Sequence, residues 1–325
     1  MKMNRPVMVT GAAGFIGSHT AEHLLRSGNR VIGVDNFHPY YDARLKKFRL
    51  KTLLRNKNFK FYCGDILKPE PLKSVFKKHQ PGALIHLAAL AGVRSSLVDP
   101  RSYLLTNGIG ALKVLGFCRT FGVKKVILAS TSSLYAGQPM PFKETLLVDT
   151  PISPYAVSKK AAEFFGCLYH RSYGLDVTIL RYFTVYGPAG RPDMSPFKFI
   201  KQITEGKVVT VYGDGSQKRD FTYIDDIARG TVQALRLKGF QTVNLGGNRP
   251  YALRYFIRLI EKYSGKKAKI KYQKWQSADM RNTWADISLA KKLLGWWPDT
   301  CLEEGVRQTV EWHKENDKLV RTLNA

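Results

Sequence analysis

The sequence predicts an α/β fold, a doubly wound parallel sheet with helices on both faces, together with a smaller C-terminal domain interleaved with it. Two observations indicate this class. Over the first half of the chain, short apolar runs alternate with amphipathic segments, which is typical of strand–helix–strand units. From about Tyr182 the chain becomes richer in Gly, Pro and Asp and its regular segments become shorter, which indicates a second domain.

The candidate strands are apolar runs bounded by turn residues. In chain order they are PVMVTG, RVIGVD, FKFYCGD, ALIHLAA, KKVILAST and DVTILRYF. Near-continuous apolar runs are expected of parallel strands, because such strands are buried on both faces. Amphipathic segments between them predict helices, among them residues 14–27, 100–121 and 154–173.

A further run, TVNLGG at 242–247, predicts one more strand of the same sheet. The second half of the chain is therefore expected to return to the first domain before it ends. We expect a first domain over residues 1–181 with a return segment near 221–247, and a second domain formed mainly by 182–325. The sequence contains no repeat, low-complexity tract or linker between them.

Composition excludes several classes of protein. With 325 residues and 44% hydrophobic residues, the chain is long and apolar enough for a large core. No apolar run reaches the roughly 20 residues needed to cross a bilayer, and the glycine turn begins too early to leave room for a signal-peptide core. The four cysteines show no C-x-x-C spacing, so we expect neither disulfides nor a metal site. These features predict a cytoplasmic protein without a membrane span.

The chain is strongly basic, with a formal net charge of +27. Much of this charge lies in residues 44–60, which contain no acid, and in 261–274, which contain one. Such a field attracts phosphates, whether in nucleic acid, lipid headgroups or nucleotides. No nucleic-acid-binding motif accompanies it, and no amphipathic anchor suggests a membrane surface. We therefore predict a solvated basic face and no specific nucleic-acid partner.

A glycine-rich turn lies directly after the first strand. Gly11, Gly14 and Gly17 open the following helix, where a backbone without side chains approaches a pyrophosphate that the helix N-terminus attracts. Asp35 ends the second strand within about 20 residues of these glycines, where a carboxylate binds the adenosine ribose hydroxyls. That carboxylate would repel a 2′-phosphate. The pattern therefore predicts NAD rather than NADP.

Later strand ends belong to the same edge of the predicted sheet, where α/β proteins place their ligands. Asp65 and Ile66 end the third strand, on the expected adenine side, and small residues of HLAALAG end the fourth. The predicted cofactor-binding residues are Gly11, Gly14, Phe15, Ile16, Gly17, Asp35, Asn36, Asp65, Ile66, Leu87, Ala88, Ala89, Asn107, Tyr155, Lys159 and Phe183.

Tyr155 and Lys159 are four residues apart on a predicted helix, so the phenol and the ammonium share one face. By itself this spacing also fits a tyrosine packed on a lysine stem. Beside a predicted dinucleotide site it indicates chemistry, because an ammonium and a positive nicotinamide ring both favour the phenolate. Thr131 ends the fifth strand at the same edge, where it would hydrogen-bond a substrate hydroxyl. The set predicts a hydride-transfer site with Tyr155 as base.

These motifs resemble the extended short-chain dehydrogenase/reductase family, with its Rossmann-type domain, and within it the nucleotide-sugar 4-epimerases. The resemblance rests on TGAAGFIGSH, HLAA, the Thr and Tyr-x-x-x-Lys set, RYF, RDFTYIDDI and WAD, and spans nearly the whole chain. It implies that Tyr155 removes the proton of the sugar 4-hydroxyl while C4 gives hydride to NAD. The 4-keto sugar then turns over, and hydride returns to its other face.

Position 133 separates the related activities. The 4,6-dehydratases resemble T-D-E and the glucuronate decarboxylases T-S-E here, whereas this chain has Ser132 and Ser133 after Thr131 and lacks the acid. The segment RYFTVYGPAGRPDMSPF resembles that of UDP-glucuronate 4-epimerases, which implies that Thr184 and Arg191 face the sugar. Ser132, Ser133 and Thr184 would hydrogen-bond a C6 carboxylate. Arg191 would either contact that carboxylate or order its own loop.

Further resemblances concern the nucleotide and the assembly. Arg94, Arg219, Gln276 and Asp279 match substrate-binding positions of the family, although Ser277 and Ala278 depart from its Q-P-G-D segment. The helices predicted at 100–121 and 154–173 resemble those of the family's two-fold bundle, which implies a homodimer. Epimerases of neutral UDP-hexoses or their N-acetyl forms, a UDP-glucuronate decarboxylase, and a non-catalytic NAD- or nucleic-acid-binding protein remain as alternatives.

Overall fold

A computed structural model of the chain describes residues 2–275 and 280–323. Its centre is a seven-stranded parallel sheet in the order β10-β6-β5-β4-β1-β2-β3. The described strands are β1 (Val7–Thr10), β2 (Val31–Asp35), β3 (Phe59–Cys63), β4 (Ala83–His86), β5 (Lys125–Thr131), β6 (Asp176–Tyr182), β7 (Thr184–Tyr186), β8 (Val208–Tyr212), β9 (Lys218–Tyr223), β10 (Phe240–Leu245), β11 (Pro250–Ala252) and β12 (Lys269–Gln273). The predicted fold class is confirmed.

Helices cover both faces of this sheet and build the smaller lobe. The described helices are α1 (Phe15–Arg26), α2 (Ala43–Leu53), α3 (Leu72–His79), α4 (Val93–Val98), α5 (Pro100–Tyr103), α6 (Gly110–Thr120), α7 (Pro154–Tyr173), α8 (Ser195–Thr204), α9 (Ile224–Gln233), α10 (Leu253–Ser264), α11 (Ser288–Leu294), α12 (Leu302–Glu315) and α13 (Asp317–Thr322). Short 3-10 turns follow β5 and α9.

The apolar runs are explained by burial on two sides. Side chains alternate along a strand, so Val7 and Val9 of β1 join the core on one face while Met8 joins the core on the other, and all three are fully buried. Trp296 fills the first core and Phe76 the second. Each face of the sheet is thus a separate hydrophobic layer.

The smaller lobe has a core of its own. The sheet β11-β9-β7 and the pair β12-β8 pack with α8, α10 and α12 around buried residues such as Ile200 and Phe256. Phe15 of α1 belongs to this core as well, so the helix that starts at the glycine turn also contacts the second lobe. The run TVNLGG contributes to β10, which pairs in parallel with β6.

The predicted helix at 100–121 is not one regular α-helix. A π-helical segment, Leu104–Ile109, lies between α5 and α6. This wider segment carries Asn107, whose side chain is buried and bonded to groups on both sides of it. By contrast, α7 has the predicted bounds, with Ser153 accepting the Ala156 N–H at 3.2 Å and Pro154 in the first turn.

Candidate active site

A cavity of about 1040 Å³ lies between the carboxyl edge of the parallel sheet and the smaller lobe. Most predicted residues line it. Those from the cofactor set are Gly11, Gly14, Phe15, Ile16, Gly17, Asp35, Asn36, Asp65, Ile66, Leu87, Ala88, Ala89, Tyr155, Lys159 and Phe183. Those from the substrate set are Arg94, Ser132, Ser133, Thr184, Arg191 and Arg219, with Thr131 beside them. Gln276 and Asp279 lie outside the described residues.

The glycine turn has no room for side chains. A Cβ on Gly11, whose φ is +72°, would lie 2.7 Å from the backbone nitrogen of Ala88, and one on Gly17 would lie 2.0 Å from the Gly11 carbonyl oxygen. Gly14 is the N-cap of α1 and brings no side chain to the helix N-terminus. The N-terminus of α1 therefore faces the cavity through bare backbone, as binding of a pyrophosphate requires. These residues fit a dinucleotide.

The ends of β2 and β3 are tied together beside this turn. The Asp35 carboxylate accepts the N–H of Ala13 at 3.1 Å and that of Phe37 at 2.8 Å, while Asn36 Nδ2 donates to Asp65 at 3.3 Å. Asp35 is buried yet lines the cavity. Its carboxylate is therefore fixed by backbone donors at the position where the sequence predicts ribose binding.

Asn107, also predicted to bind the cofactor, is bonded to two neighbouring segments. It is not among the residues that line the cavity. Its amide is bonded on both sides of Leu90, accepting the N–H at 2.9 Å and donating to the carbonyl at 2.8 Å, and it donates to the Ser158 hydroxyl at 2.9 Å. The described contacts therefore make Asn107 a link between the segment after β4 and α7.

The proposed catalytic groups meet at the ends of β5 and the start of α7. The Thr131 hydroxyl donates to Ser133 Oγ and accepts the Ser133 N–H, both at 3.1 Å. Burial raises the pKa of the Tyr155 phenol, against the opposing effects of its hydrogen bond with Thr131 and of the charge on Arg191. Burial likewise lowers the pKa of Lys159 from 10.5 to about 8, although Glu163 opposes this. In the described structure, burial thus outweighs the predicted lowering of the Tyr155 pKa.

The side of the cavity that is predicted to hold the sugar contains hydroxyls and an arginine with several hydrogen bonds. Arg191 bonds the Asp193 carboxylate through Nε at 3.1 Å and Nη2 at 2.5 Å, and Nη2 also donates to the Ala91 carbonyl at 2.9 Å. Its guanidinium lies 5.5 Å from the centre of the Tyr40 ring. In this conformation Arg191 is bonded to Asp193 of its own loop and to the segment after β4, and it is also one of the residues that line the cavity.

Arg94 and Arg219 approach the cavity from opposite lobes. The Arg94 guanidinium lies 4.2 Å from the centre of the Tyr212 ring on β8, a cation–π contact between the lobes. Arg219 Nη1 donates to the Lys218 carbonyl at 3.0 Å and to the Arg281 carbonyl at 2.8 Å. Arg94 and Arg219 thus both line the cavity, one from each lobe.

A set of tyrosine hydroxyls beside the cavity was not predicted from the sequence. The Tyr40 hydroxyl donates to Ser95 Oγ at 3.2 Å and accepts from the Tyr103 hydroxyl at 3.3 Å. The Tyr103 ring packs edge-on against Tyr155 at 6.1 Å between centroids. The signal was HPYYD, which follows the end of β2 and therefore lies at the ligand-binding edge, but its partners are 55 and 63 residues away.

Neither a metal-binding cluster nor a membrane-spanning helix occurs in the described part of the chain. Over residues 2–275 and 280–323 there is no cluster of three His, Cys, Asp or Glu side chains arranged to hold a metal ion. Within the same residues no helix is long and apolar enough to span a membrane.

Comparison with known proteins identifies the family. The chain belongs to the family described as GDP-mannose 4,6 dehydratase, which matches residues 8–309, within the extended short-chain dehydrogenases/reductases. It is similar to a UDP-glucuronate 4-epimerase of Thermodesulfobacterium geofontis, with 53% identity over 97% of this chain and 98% of the relative. It is also 37% identical to a probable UDP-glucuronate 4-epimerase of Rhizobium meliloti, over 97% of this chain and 98% of that protein.

A solved structure supports the same relationship. The UDP-glucuronic acid 4-epimerase of Bacillus cereus, in complex with UDP-glucuronic acid and NAD, superposes with a TM-score of 0.91 at 39% identity and covers 97% of this chain and 99% of its own. The Thermotoga maritima UDP-glucose 4-epimerase has a TM-score of 0.87 at 33% identity, with coverage of 97% and 99%.

Proposed function

We propose that this protein is an NAD-dependent epimerase that interconverts UDP-glucuronate and UDP-galacturonate at C4, through a transient 4-keto sugar. One observation carries the proposal: Thr131, Tyr155 and Lys159 line one cavity with the glycine turn, and Ser133 stands where related dehydratases and decarboxylases have an acid. The 53% identity to a UDP-glucuronate 4-epimerase supports it.

NAD is the cofactor whose shape and charge suit the end of the cavity beside the glycine turn. The bare backbone around Gly11 and Gly14 would hold the pyrophosphate, and the fixed Asp35 carboxylate would bind the adenosine ribose. Bound there, NAD would supply the acceptor and donor of the hydride exchanged with C4 of the sugar. The other steps belong to side chains of this chain.

Tyr155 is the proposed proton carrier. Its phenol takes the proton of the 4-hydroxyl during oxidation and gives it back during reduction, so that the proton count is unchanged over a cycle. Burial raises the Tyr155 pKa in the described structure, and Thr131 opposes the rise. To act near neutral pH the phenol needs its pKa lowered by about three units, which corresponds to roughly 4 kcal/mol of added interaction with positive groups. The Lys159 ammonium and the nicotinamide are the proposed sources.

The hydroxyls near the sugar are proposed to hold the C6 carboxylate. Ser132, Ser133 and Thr184 all line the cavity. Holding the carboxylate matters because a 4-keto-glucuronate is a β-keto acid, which loses CO₂ when its C5–C6 bond aligns with the carbonyl π system. A fixed carboxylate keeps that bond out of alignment. Arg191, bonded to Asp193 and Ala91, is proposed to hold this end of the cavity in shape.

The experiment is a product assay with purified protein and UDP-glucuronate, with UDP-glucose and UDP-N-acetylglucosamine run in parallel. We expect UDP-galacturonate as the product and no turnover by Tyr155→Phe. Tyr173→Phe, at the exposed far end of the same helix, is the matched control and should be unaffected. A UDP-pentose as main product, faster turnover of the neutral sugars, or activity retained by Tyr155→Phe would contradict the proposal.

We also propose that the two domains bind different ligands. Residues 1–181, with the return segment near 221–247, would form the NAD-binding domain, and most of 182–325 would bind the UDP-sugar. The four free cysteines, of which Cys63 and Cys301 are exposed, suit the proposed cytoplasmic location, where thiols stay reduced.

A homodimer is proposed from an apolar surface on the helices around the cavity. Large hydrophobic side chains are exposed on α4, on the π-helical segment and on α7, which pack beside one another. They are Leu97, Val98, Leu104, Ile109, Val157, Phe164 and Leu168. Several large apolar side chains exposed on neighbouring helices are typical of an interface. A second copy of this chain is the proposed partner.

A further inference from the structure

We propose that Arg49 is a positioning residue that fixes the sugar-binding loop against the glycine turn. The proposal rests on the function proposed above and assigns a role to a side chain of α2 outside the motifs. Arg49 donates through Nε and Nη2 to the Ala189 carbonyl at 2.9 and 2.7 Å, and through Nη2 to the Gly190 carbonyl at 3.0 Å. Its Nη1 donates to the Ala13 carbonyl at 3.3 Å and to the Tyr41 hydroxyl at 2.7 Å.

These bonds join three distant segments through one planar group. Ala13 belongs to the glycine turn, Tyr41 to the loop after β2, and Ala189 and Gly190 to the loop after β7, which is 140 residues from Arg49. Arg49 is only 5% exposed, and its guanidinium is flanked by the rings of Phe15 and Tyr41 at 5.8 and 5.5 Å. The rigid fork of an arginine serves several acceptors at fixed angles, which a lysine ammonium does not.

The segments that Arg49 joins both continue into residues that line the cavity. Ala13 precedes Gly14, the N-cap of α1, and Gly190 precedes Arg191, which lines the cavity and bonds Asp193 and the Ala91 carbonyl. The distance between the pyrophosphate end and the sugar end of the site is therefore set in part by Arg49. Misplacement of bound groups by about 1 Å is enough to lower a rate about 100-fold.

The backbone at Ala189 supports the same conclusion. Ala189 has a φ of +52°, a left-handed conformation that is strained for a residue with a Cβ. It is buried, and its carbonyl accepts two of the Arg49 bonds. Such a conformation persists only when surrounding contacts enforce it. Arg49 supplies contacts of this kind, and the turn they hold presents Arg191 to the cavity.

The test compares Arg49→Lys, which keeps the charge and loses the fork, with Arg49→Met, which loses both. Lys47→Met, on the exposed side of α2, is the matched control. Each change is placed in the Tyr155→Phe background, and the dissociation constants of UDP and of UDP-glucuronate are measured by calorimetry on the NAD-loaded protein. The ratio of UDP-galacturonate to UDP-pentose is measured with the same changes in the protein that retains Tyr155.

We expect UDP affinity to stay within about twofold in both Arg49 variants while the preference for UDP-glucuronate over UDP falls about tenfold, because only the sugar end is displaced. In the active background, kcat should fall and the share of turnovers that end in a UDP-pentose should rise, since the carboxylate is held less well. Lys47→Met should match the parent in all measurements.

The outcomes separate the inference from the proposed function. Suppose that the parent epimerises UDP-glucuronate. The inference is then wrong if the Arg49 variants keep the full preference for UDP-glucuronate over UDP. It is also wrong if they lose affinity for both ligands in parallel and their melting temperature falls, because Arg49 would then only stabilise the fold. If the parent does not epimerise UDP-glucuronate, the proposed function itself fails. If both Arg49 variants are insoluble, Tyr41→Phe is used instead, because it removes one acceptor of Arg49 without removing a charge. We expect it to lower the preference for UDP-glucuronate over UDP about threefold. An unchanged preference overturns the inference.

Discussion

Lys159 is the residue at which catalysis and stability oppose each other. It is only 4% exposed, and burial lowers its pKa from 10.5 to about 8. The protein therefore carries a buried ammonium at neutral pH, which is unfavourable for folding, in exchange for a cation one helical turn from Tyr155. Glu163, next along the same helix face, offsets part of this penalty.

The first prediction concerns Lys159→Met. The folded pKa lies below the unfolded value, so between about pH 8 and 10.5 the unfolded state binds more protons and wild-type stability rises with pH. Below pH 8 the full penalty is present. At pH 7 the variant should therefore be more stable than the wild type by up to about 3 kcal/mol, a difference that shrinks as pH rises above 8. Urea unfolding of both proteins at equal NAD content, from pH 6.5 to 10, measures it.

Epimerase activity should be lost in the same variant. Lys124→Met, at an exposed position, is the control and should change the free energy of unfolding by less than about 0.5 kcal/mol at every pH. A Lys159→Met protein that is less stable than the wild type at pH 7, or whose stability difference is independent of pH, would contradict the account.

At this scale the sequence predicted the groups that motifs carry and missed the ones that tertiary contacts create. Thr131, Tyr155 and Lys159 were found because helix and strand periodicity place them at one sheet edge. The basic run at 44–60 predicts a solvated face, and for two of its cations this is wrong, because α2 buries Lys46 and Arg49 near the cavity. Nothing in the local pattern distinguishes these cations from Lys47, because their acceptors lie in other segments.

At the scale of elements, α7 is joined to the sheet by a buried polar network. Arg181 of β6 bonds Glu163 of α7 through Nε at 2.9 Å and Nη2 at 2.8 Å, and Ser130 of β5 donates to the same carboxylate at 2.6 Å. Arg181 also donates to the Tyr135 hydroxyl at 2.9 Å, which in turn donates to Asn244 of β10 at 2.8 Å. The helix that carries the proposed base is thus fixed to β5, β6 and β10.

The second prediction is that Glu163→Ala destabilises the fold by about 3–5 kcal/mol, because it leaves the buried Arg181 charge without its partner. The ion pair protects both charged forms: the hydrogen bonds of Arg181 hold the pKa of Glu163 below its ordinary value. Arg307→Ala, which breaks exposed pairs with Glu304 and Glu311, is the control and should cost less than about 1 kcal/mol. Denaturant unfolding measures both, and equal small effects would show that the network is not structural.

Helices and strands were predictable where the pattern of their own residues determines the secondary structure. The β1–β6 strands and α7 follow from apolar runs and from the Ser-Pro start of the helix. The π-helical segment Leu104–Ile109 was missed because it is stabilised by what Asn107 contacts outside the helix. The three-residue strands β7 and β11 were missed for a related reason, since short strands are defined by the neighbours they pair with rather than by periodicity.

At the scale of the whole molecule, the two lobes enclose the cavity but leave an apolar surface outside it. Phe164 is 63% exposed and Val98 87% exposed, although residues of this type are normally buried. Phe164 and Leu168 are four residues apart on α7, and Val157 lies one heptad before Phe164, so the three share one face. The opposite face of α7 packs on the sheet with Tyr155 and Lys159 at its start. A partner on the outer face would therefore stiffen the helix that holds the proposed base.

The third prediction follows from this arrangement. Phe164→Glu places a charge on the exposed apolar surface and should convert the proposed homodimer into a monomer, because desolvating a carboxylate in an apolar interface costs more than the contact gains, even with Lys160 beside it. Light scattering after size exclusion measures the mass. Leu54→Glu, at a 56% exposed position at the end of α2, is the control and should leave the mass unchanged. The monomer should bind NAD and UDP but turn over more slowly, since α7 loses its outer support. A wild-type protein that runs as a monomer, or a Phe164→Glu protein of undiminished mass, would show that this surface is not the dimer interface.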